Sequence, residues 1–173
     1  MVFSSFIFLW TFLPIVFIGY FVIQDKYKNI FLLLASLIFY AWGEPKYILL
    51  MIFSVLVNYI IGLLMDKFYS YKKILLIIDI IINLGLLGYF KYFNFVIEII
   101  NYSLNTKLET SNIPLPIGIS FFTFQILSYI IDLYRGKYEA QKNIINLGLY
   151  ISFFPQLIAG PIVKYKDIDE QLN

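Results

Sequence analysis

Long apolar runs separated by short charged stretches are the main pattern along this chain. The runs cover residues 3–23, 30–43, 47–65, 74–90, 114–131 and 144–163. About 20 apolar residues in a helix cross a bilayer core of about 30 Å. The alternation of apolar and polar positions that marks outer-membrane strands does not run through them. The pattern therefore predicts an all-α, polytopic transmembrane protein with about six membrane segments, some of them short, tilted or broken.

The runs differ in what their lengths allow. Residues 3–23 and 47–65 span comfortably, and 74–90 is just long enough. Residues 30–43 have a length that is also typical of re-entrant elements, and we expect a short crossing helix there. A further apolar piece at 95–102 is either a crossing or a surface element. The first run has neither the basic start nor the small-residue end of a cleaved signal peptide, so we expect a retained span.

Composition supports a membrane protein and excludes several other classes. Hydrophobic residues make up 61% of the chain and charged residues only 14%, whereas about a quarter of an average soluble domain is charged. The net charge is +2 and the basic residues are scattered, so no nucleic-acid partner is expected. The chain has no Cys and no His, so no metal site and no Ser-His nucleophile is predicted.

Lysine and arginine positions indicate an orientation, because such residues are enriched in cytoplasmic loops. If every segment crosses, an N-terminus outside the cell places eight of them inside: Lys26, Lys28, Lys67, Lys72, Lys73, Arg135, Lys137 and Lys142. Five remain outside: Lys46, Lys91, Lys107, Lys164 and Lys166. The bias favours the outside N-terminus.

Polar residues in the fifth run form one helical face. Gly118, Gln125, Tyr129 and Asp132 recur at intervals of seven, four and three, with Ser128 beside them. We expect such a face to contact other helices or a wet cavity instead of lipid. Two interpretations stay open here, a functional site and plain interhelical hydrogen bonding.

A second set of polar residues lies in the third and fourth runs. For Asp79 we favour a position near the interface, paired with Lys72 or Lys73, over a role in a membrane pathway. Asn58 and Asn83 are predicted to join helices.

The sixth run, "YISFFPQLIAGPIVKY", is interrupted at Pro155, Gly160 and Pro161. Proline lacks an amide hydrogen, and the residue before a proline avoids the α conformation. We therefore expect a kink at Pro155, an end near Gly160 and a new amphipathic helix from Pro161. Irregular backbone at membrane depth must be buried in protein or line a water-filled cavity, so this break predicts an internal cavity.

Two long stretches carry a resemblance to a known family. "LPIGISFFTFQILSYIIDLYRGK" and "NLGLYISFFPQLIAGPIVKYKDIDEQL" resemble the membrane-bound O-acyltransferase family, in its alginate O-acetyltransferase branch. "LLLASLIFYAWGEPKYILLM" and "NLGLLGYFKYFNF" fit the same branch, so the resemblance covers essentially the whole chain.

The resemblance implies a bacterial cytoplasmic-membrane enzyme with a tunnel through a ring of helices. It implies transfer of an acyl group from a donor such as acetyl-CoA to a hydroxyl of an exported or cell-surface polysaccharide such as alginate. An acetyltransferase partner outside the membrane is also implied. On this basis seven residues are expected to line or support the tunnel: Gln125, Ser128, Tyr129, Asp132, Gln156, Gly160 and Pro161.

The chain departs from the family in one respect. Members rely on an intramembrane histidine, and this chain contains none. We therefore expect residues 1–173 to be the N-terminal part of a single membrane domain, without a soluble domain, that needs a C-terminal half and is inactive alone. A transporter or channel subunit and an inactive remnant are the alternatives.

Overall fold

The structure is a computed structural model that describes residues 5–110, 114–160, 163, 165 and 168. Within these residues the fold contains helices and no strand, which confirms the all-α prediction. The helices are α1 (Leu13–Val22), α2 (Asp25–Gly43), α3 (Ile48–Lys67), α4 (Lys72–Leu87), α5 (Phe93–Leu104), α6 (Ile119–Tyr134), α7 (Ile144–Ser152) and α8 (Phe154–Ala159). A π-helical turn at Phe8–Phe12 precedes α1, and a second one at Gly88–Tyr92 joins α4 to α5.

The outer surface of the helices is apolar. The side chains of Phe17, Leu49 and Ile81 are each more than 60% exposed. α3 and the continuous helix Tyr69–Leu104 are long and apolar enough to cross a membrane. Helices that are apolar on their exposed faces suit a lipid environment, and this confirms the predicted class of membrane protein.

α2 is longer than its apolar run predicted. It begins at Asp25 and has 19 residues, which is about 28 Å at the usual helical rise. The charged residues at its start form its first turn, in which Lys28 Nζ lies 2.6 Å from Asp25 Oδ1. The helix therefore reaches nearly the thickness of a bilayer core.

The apolar piece 95–102 is not a separate segment. It belongs to α5, which continues α4 through the π-helical turn as one helix of 36 residues. At that turn, Lys91 Nζ donates to Ser120 Oγ at 3.2 Å. No residue of α5, which is described throughout, is buried.

The helices give the bundle two ends. The basic end, as we call it, contains residues 23–28, 66–73 and 134–143. There Ala140 N donates to Asp66 Oδ2 at 2.6 Å, and just inside it Asn29 Nδ2 donates to Asn146 Oδ1 at 3.0 Å. The opposite end contains residues 44–47 and 114–118, where the Tyr47 hydroxyl donates to the Pro114 carbonyl at 2.9 Å.

The sixth apolar run begins at the basic end, and α8 ends near the opposite end. α7 begins at the basic end, where Asn143 Oδ1 caps Ile145 N at 2.9 Å. α8 reaches the opposite end, since a Cβ on Gly118 would lie 3.0 Å from the Leu157 carbonyl oxygen. Tyr165 nevertheless contacts the basic end again, where Gln141 Nε2 donates to its hydroxyl at 2.5 Å. Of the residues described after Gly160, Tyr165 thus lies near the end of the bundle at which α7 begins.

Candidate functional site

The break in the sixth run lies at Phe153, two residues before the predicted kink. Phe153 has φ −57° and ψ 111° and separates α7 from α8. Pro155 sits in the first turn of α8, where a missing amide hydrogen costs no helical bond. Gly160 is extended, with φ −80° and ψ 153°, as expected for a residue before proline. Pro161, and most of the helix predicted after it, lie outside the described residues.

Two neighbouring helices replace the hydrogen bond that this break removes. In an unbroken helix Phe154 N would donate to the Tyr150 carbonyl. Instead, Phe154 N donates to Ser36 Oγ of α2 at 3.4 Å, and the Tyr150 carbonyl accepts from Gln125 Nε2 of α6 at 2.6 Å. The irregular backbone is thus satisfied by protein side chains, as membrane depth requires.

The structure brings two of the predicted site residues together at this break. Gln125 Nε2 also donates to Gln156 Oε1 at 3.0 Å. Gln125 is buried, whereas Gln156 is half-buried. The Gln156 side chain therefore reaches outward from the packed centre of the bundle.

Gln156 lines a cavity of about 580 Å³ between α1, α2, α7 and α8. Most of its wall is apolar and includes Val16, Leu32 and Leu149. The wall also includes Asn29, which lies near the basic end. The cavity thus extends along the helices between two side-chain amides, and it suits a ligand with an apolar body and a few polar atoms.

Tyr129 and Asp132 lie at the basic end and do not line this cavity. The Tyr129 hydroxyl accepts from Gln141 N at 3.0 Å, and Asp132 Oδ1 lies 2.7 Å from Lys137 Nζ. The Tyr138 hydroxyl donates to the Tyr129 carbonyl at 2.8 Å. Burial, together with the nearby Asp132 carboxylate, raises the pKa of the Tyr138 hydroxyl. These contacts hold the loop 135–143 against α6.

The remaining predicted site residue on α6, Ser128, points away from these contacts. It is half-buried and lies one turn after Phe124, which is 46% exposed. The structure therefore does not bring it to Gln125 and Gln156.

Asp79 is fully buried in the bundle, whereas we expected it to pair with Lys72 or Lys73. No ion pair with Lys72 or Lys73 forms among the described residues; instead, Asn83 Nδ2 donates to Asp79 Oδ2 at 3.1 Å. Asp79 points into the bundle because it shares a face of α4 with Asn83, which packs on α3. Asn83 Nδ2 also donates to Asn58 Oδ1 at 3.1 Å, which confirms the predicted joining of helices by these two amides.

Comparisons with known proteins find O-acetyltransferases, the class of enzyme that the two long motifs resemble. The chain is 41% identical to the "Probable alginate O-acetylase AlgI" of Pseudomonas aeruginosa, over all of this chain and 35% of that protein. It is 34% identical to the "Peptidoglycan O-acetyltransferase" of Helicobacter pylori, over all of this chain and 39% of that protein. The chain is thus similar over its whole length to part of proteins named as O-acetylases and O-acetyltransferases. No family model and no solved structure matches it.

The chain spans about a third of the length of the curated relatives it matches. Its sequence identified Gln125 and Gln156 but gave no reason to select Ser36. A serine inside an apolar helix usually bonds to its own helix or to a neighbouring one. Ser36 Oγ does both, because it also donates to the Leu32 carbonyl at 2.8 Å.

Proposed function

We propose that the protein is a membrane O-acetyltransferase. In the proposed reaction the C–S bond of an acetyl thioester, such as acetyl-CoA, is broken and a C–O ester bond forms on an acceptor hydroxyl, whose proton passes to the thiol. The observation that carries this proposal is the match of the whole chain to proteins named as O-acetylases.

The proposed acceptor is a hydroxyl of an exported or cell-surface polysaccharide. The names of the relatives support alginate as the first candidate. Peptidoglycan is the second candidate, which the relative from Helicobacter pylori favours. Both are polymers outside the cytoplasm, so an extracytoplasmic acetyltransferase partner belongs to the same proposal.

The proposed location is the bacterial cytoplasmic membrane, crossed several times, with the N-terminus outside. The distribution of charge on the helices supports this orientation. Eight Lys and Arg residues lie at the basic end, whereas Lys46 and Lys91 lie towards the opposite end. Because basic residues favour the cytoplasmic side, we assign the basic end to the cytoplasm. α1 ends at that side, so the chain begins on the other.

Within this protein, we propose that residues 1–173 contribute to one membrane domain that includes the rest of the AlgI-type chain. Gln156 is assigned to the wall of the acyl-transfer cavity and Gln125 to the support of Gln156, with Gly160 supporting the break. Tyr129 and Asp132 are assigned to the support of the loop at the basic end. Ser128 and Pro161 stay predictions from the sequence.

The proposal is tested by deleting the gene and measuring acetate that mild alkali releases from the polysaccharide and peptidoglycan fractions. We expect the ester content of one fraction to fall at least about tenfold and to return with the wild-type gene. Unchanged ester content in both fractions would overturn the proposal. The fraction that loses acetate identifies the acceptor.

A further inference from the structure

The orientation of two side-chain amides is fixed by one backbone carbonyl at the break. The Tyr150 carbonyl can only accept a hydrogen bond, so the atom of Gln125 that lies 2.6 Å from it is the amide nitrogen. The second hydrogen of this nitrogen points to the side-chain oxygen of Gln156 at 3.0 Å. The oxygen of Gln156 therefore faces Gln125, and its nitrogen is the atom left over.

The nitrogen of Gln156 has no hydrogen-bond acceptor in the part of the chain that the structure describes. Gln156 lines the cavity of about 580 Å³. The two N–H groups of this half-buried amide can donate to an acceptor that enters the cavity. The site is thus built to receive an oxygen that accepts a hydrogen bond and needs no acceptor in return.

A carbonyl oxygen with an apolar group behind it fits this description. A sugar ring does not, because each of its hydroxyls needs partners of its own and the cavity wall is mostly apolar. A water molecule would accept the hydrogen bond from the Gln156 amide but would make no favourable contact with the apolar wall.

We propose that Gln156 Nε2 donates a hydrogen bond to the carbonyl oxygen of an acyl thioester bound in this cavity, and that Gln125 is the positioning residue that aims it. The choice of a thioester over a membrane ester rests on the proposed function. The hydrogen bond itself rests only on the orientation of the two amides and on the cavity.

The variant Gln156→Glu removes the hydrogen-bond donor of Gln156 and keeps its acceptor for Gln125. A carboxylate at this position still accepts the hydrogen bond from Gln125, so the break stays supported, but it offers no donor to the cavity. The variant Gln156→Met removes both the acceptor for Gln125 and the donor to the cavity. The matched control is Gln24→Met, because Gln24 is exposed and makes no side-chain cap at the start of α2.

The test is infrared spectroscopy of the whole protein in lipid nanodiscs with S-acetylpantetheine labelled with ¹³C at the carbonyl. We expect a shift of the labelled carbonyl band to lower frequency in the wild type and in Gln24→Met, and no shift in either Gln156 variant. Binding should weaken about three- to tenfold in these variants, as the loss of a neutral hydrogen bond predicts. Gln125→Met should reduce the shift, since the amide of Gln156 is then free to turn.

A second arm uses nanodiscs of phosphatidylcholine labelled with ¹³C at its ester carbonyls, without the thioester. A band shift that depends on Gln156 in this arm alone would overturn the thioester proposal and assign the site to lipid. An equal thioester shift in the wild type and in Gln156→Glu would overturn the role of Gln156. These outcomes are independent of acetylation, so a protein that binds the probe but acetylates no polymer would refute only the proposed function.

Discussion

The hydroxyl of Ser36 on α2 accepts the amide hydrogen of Phe154, the first residue after the break between α7 and α8, at a distance of 3.4 Å. The two residues are 118 positions apart in the sequence. Ser36 is fully buried, so water does not replace this contact. One small side chain on α2 thus helps to hold the broken helix that carries Gln156.

Ser36→Ala is expected to destabilise the protein by about 1–2 kcal/mol, because it removes the buried hydrogen bond between Ser36 Oγ and Phe154 N. The measurement is the apparent free energy of unfolding in mixed detergent micelles. Ser103→Ala is the matched control, since Ser103 is exposed on α5, and it should change that free energy by less than about 0.5 kcal/mol. Equal effects of the two variants would show that the contact contributes nothing.

Gly118→Ala is expected to destabilise the protein, whereas Gly85→Ala is not. Gly118 has φ +77°, and a Cβ there would lie 3.0 Å from the Leu157 carbonyl oxygen. The backbone conformation alone costs about 1–2 kcal/mol in an L-residue. Gly85→Ala is the control, because no atom lies within 4 Å of its added Cβ and alanine favours the helix. The unfolding temperature should fall in Gly118→Ala and rise in Gly85→Ala. A lower unfolding temperature in both variants would contradict this account.

The amides of Asn58 and Asn83 join α3 to α4 through reciprocal hydrogen bonds of 3.1 and 3.4 Å. A double-mutant cycle with Asn58→Ala and Asn83→Ala should give a coupling energy of about 0.6–1.7 kcal/mol, the range found between membrane helices. The single variant at Asn83 should cost more than that at Asn58, since Asn83 also donates to Asp79. A coupling energy near zero would mean that the pair adds no stability.

Stability at alkaline pH should depend on Tyr138. Its raised pKa means that the folded state holds the proton more tightly than the unfolded state does. Its contribution to stability is therefore complete below the unfolded pKa of about 10 and is lost as the pH rises through the folded pKa. Tyr138→Phe should destabilise the protein by about 1 kcal/mol at pH 8, and the difference from the wild type should shrink at higher pH. The control Tyr102→Phe, at a residue that is 93% exposed, should have the stability of the wild type at every pH. A stability difference between Tyr138→Phe and the wild type that does not change with pH would contradict the prediction.

Hydrophobic patterning predicted where the helices are but not all of their ends. α3 was placed almost to the residue, because a long apolar run fixes a spanning helix. The start of α2 at Asp25 was missed because charged residues can occupy a first turn that lies at the interface. The break at Phe153 was placed at Pro155 instead, because the sequence does not show whether a proline ends one helix or begins the next.

Contacts between distant residues set the features that the sequence did not predict. The burial of Asp79 depends on how α4 rotates against its neighbours, which periodicity leaves open. The position of Tyr165 near the basic end depends on its contact with Gln141, 24 positions earlier. Gln125 and Gln156 were both singled out by their polarity, but their shared hydrogen bond follows from the loss of the Phe154–Tyr150 bond.

The most direct test of the proposed acetyl transfer uses closed membrane vesicles of both orientations from cells that express the whole gene product. Acetyl-CoA labelled with ¹⁴C in the acetyl group is added outside the vesicles, and alkali-labile label in the polymer fraction is counted. We predict label only in inside-out vesicles, where the basic end faces the added donor, and none in vesicles from the deletion strain. Label that appears equally without the gene, or only in right-side-out vesicles, would contradict the account.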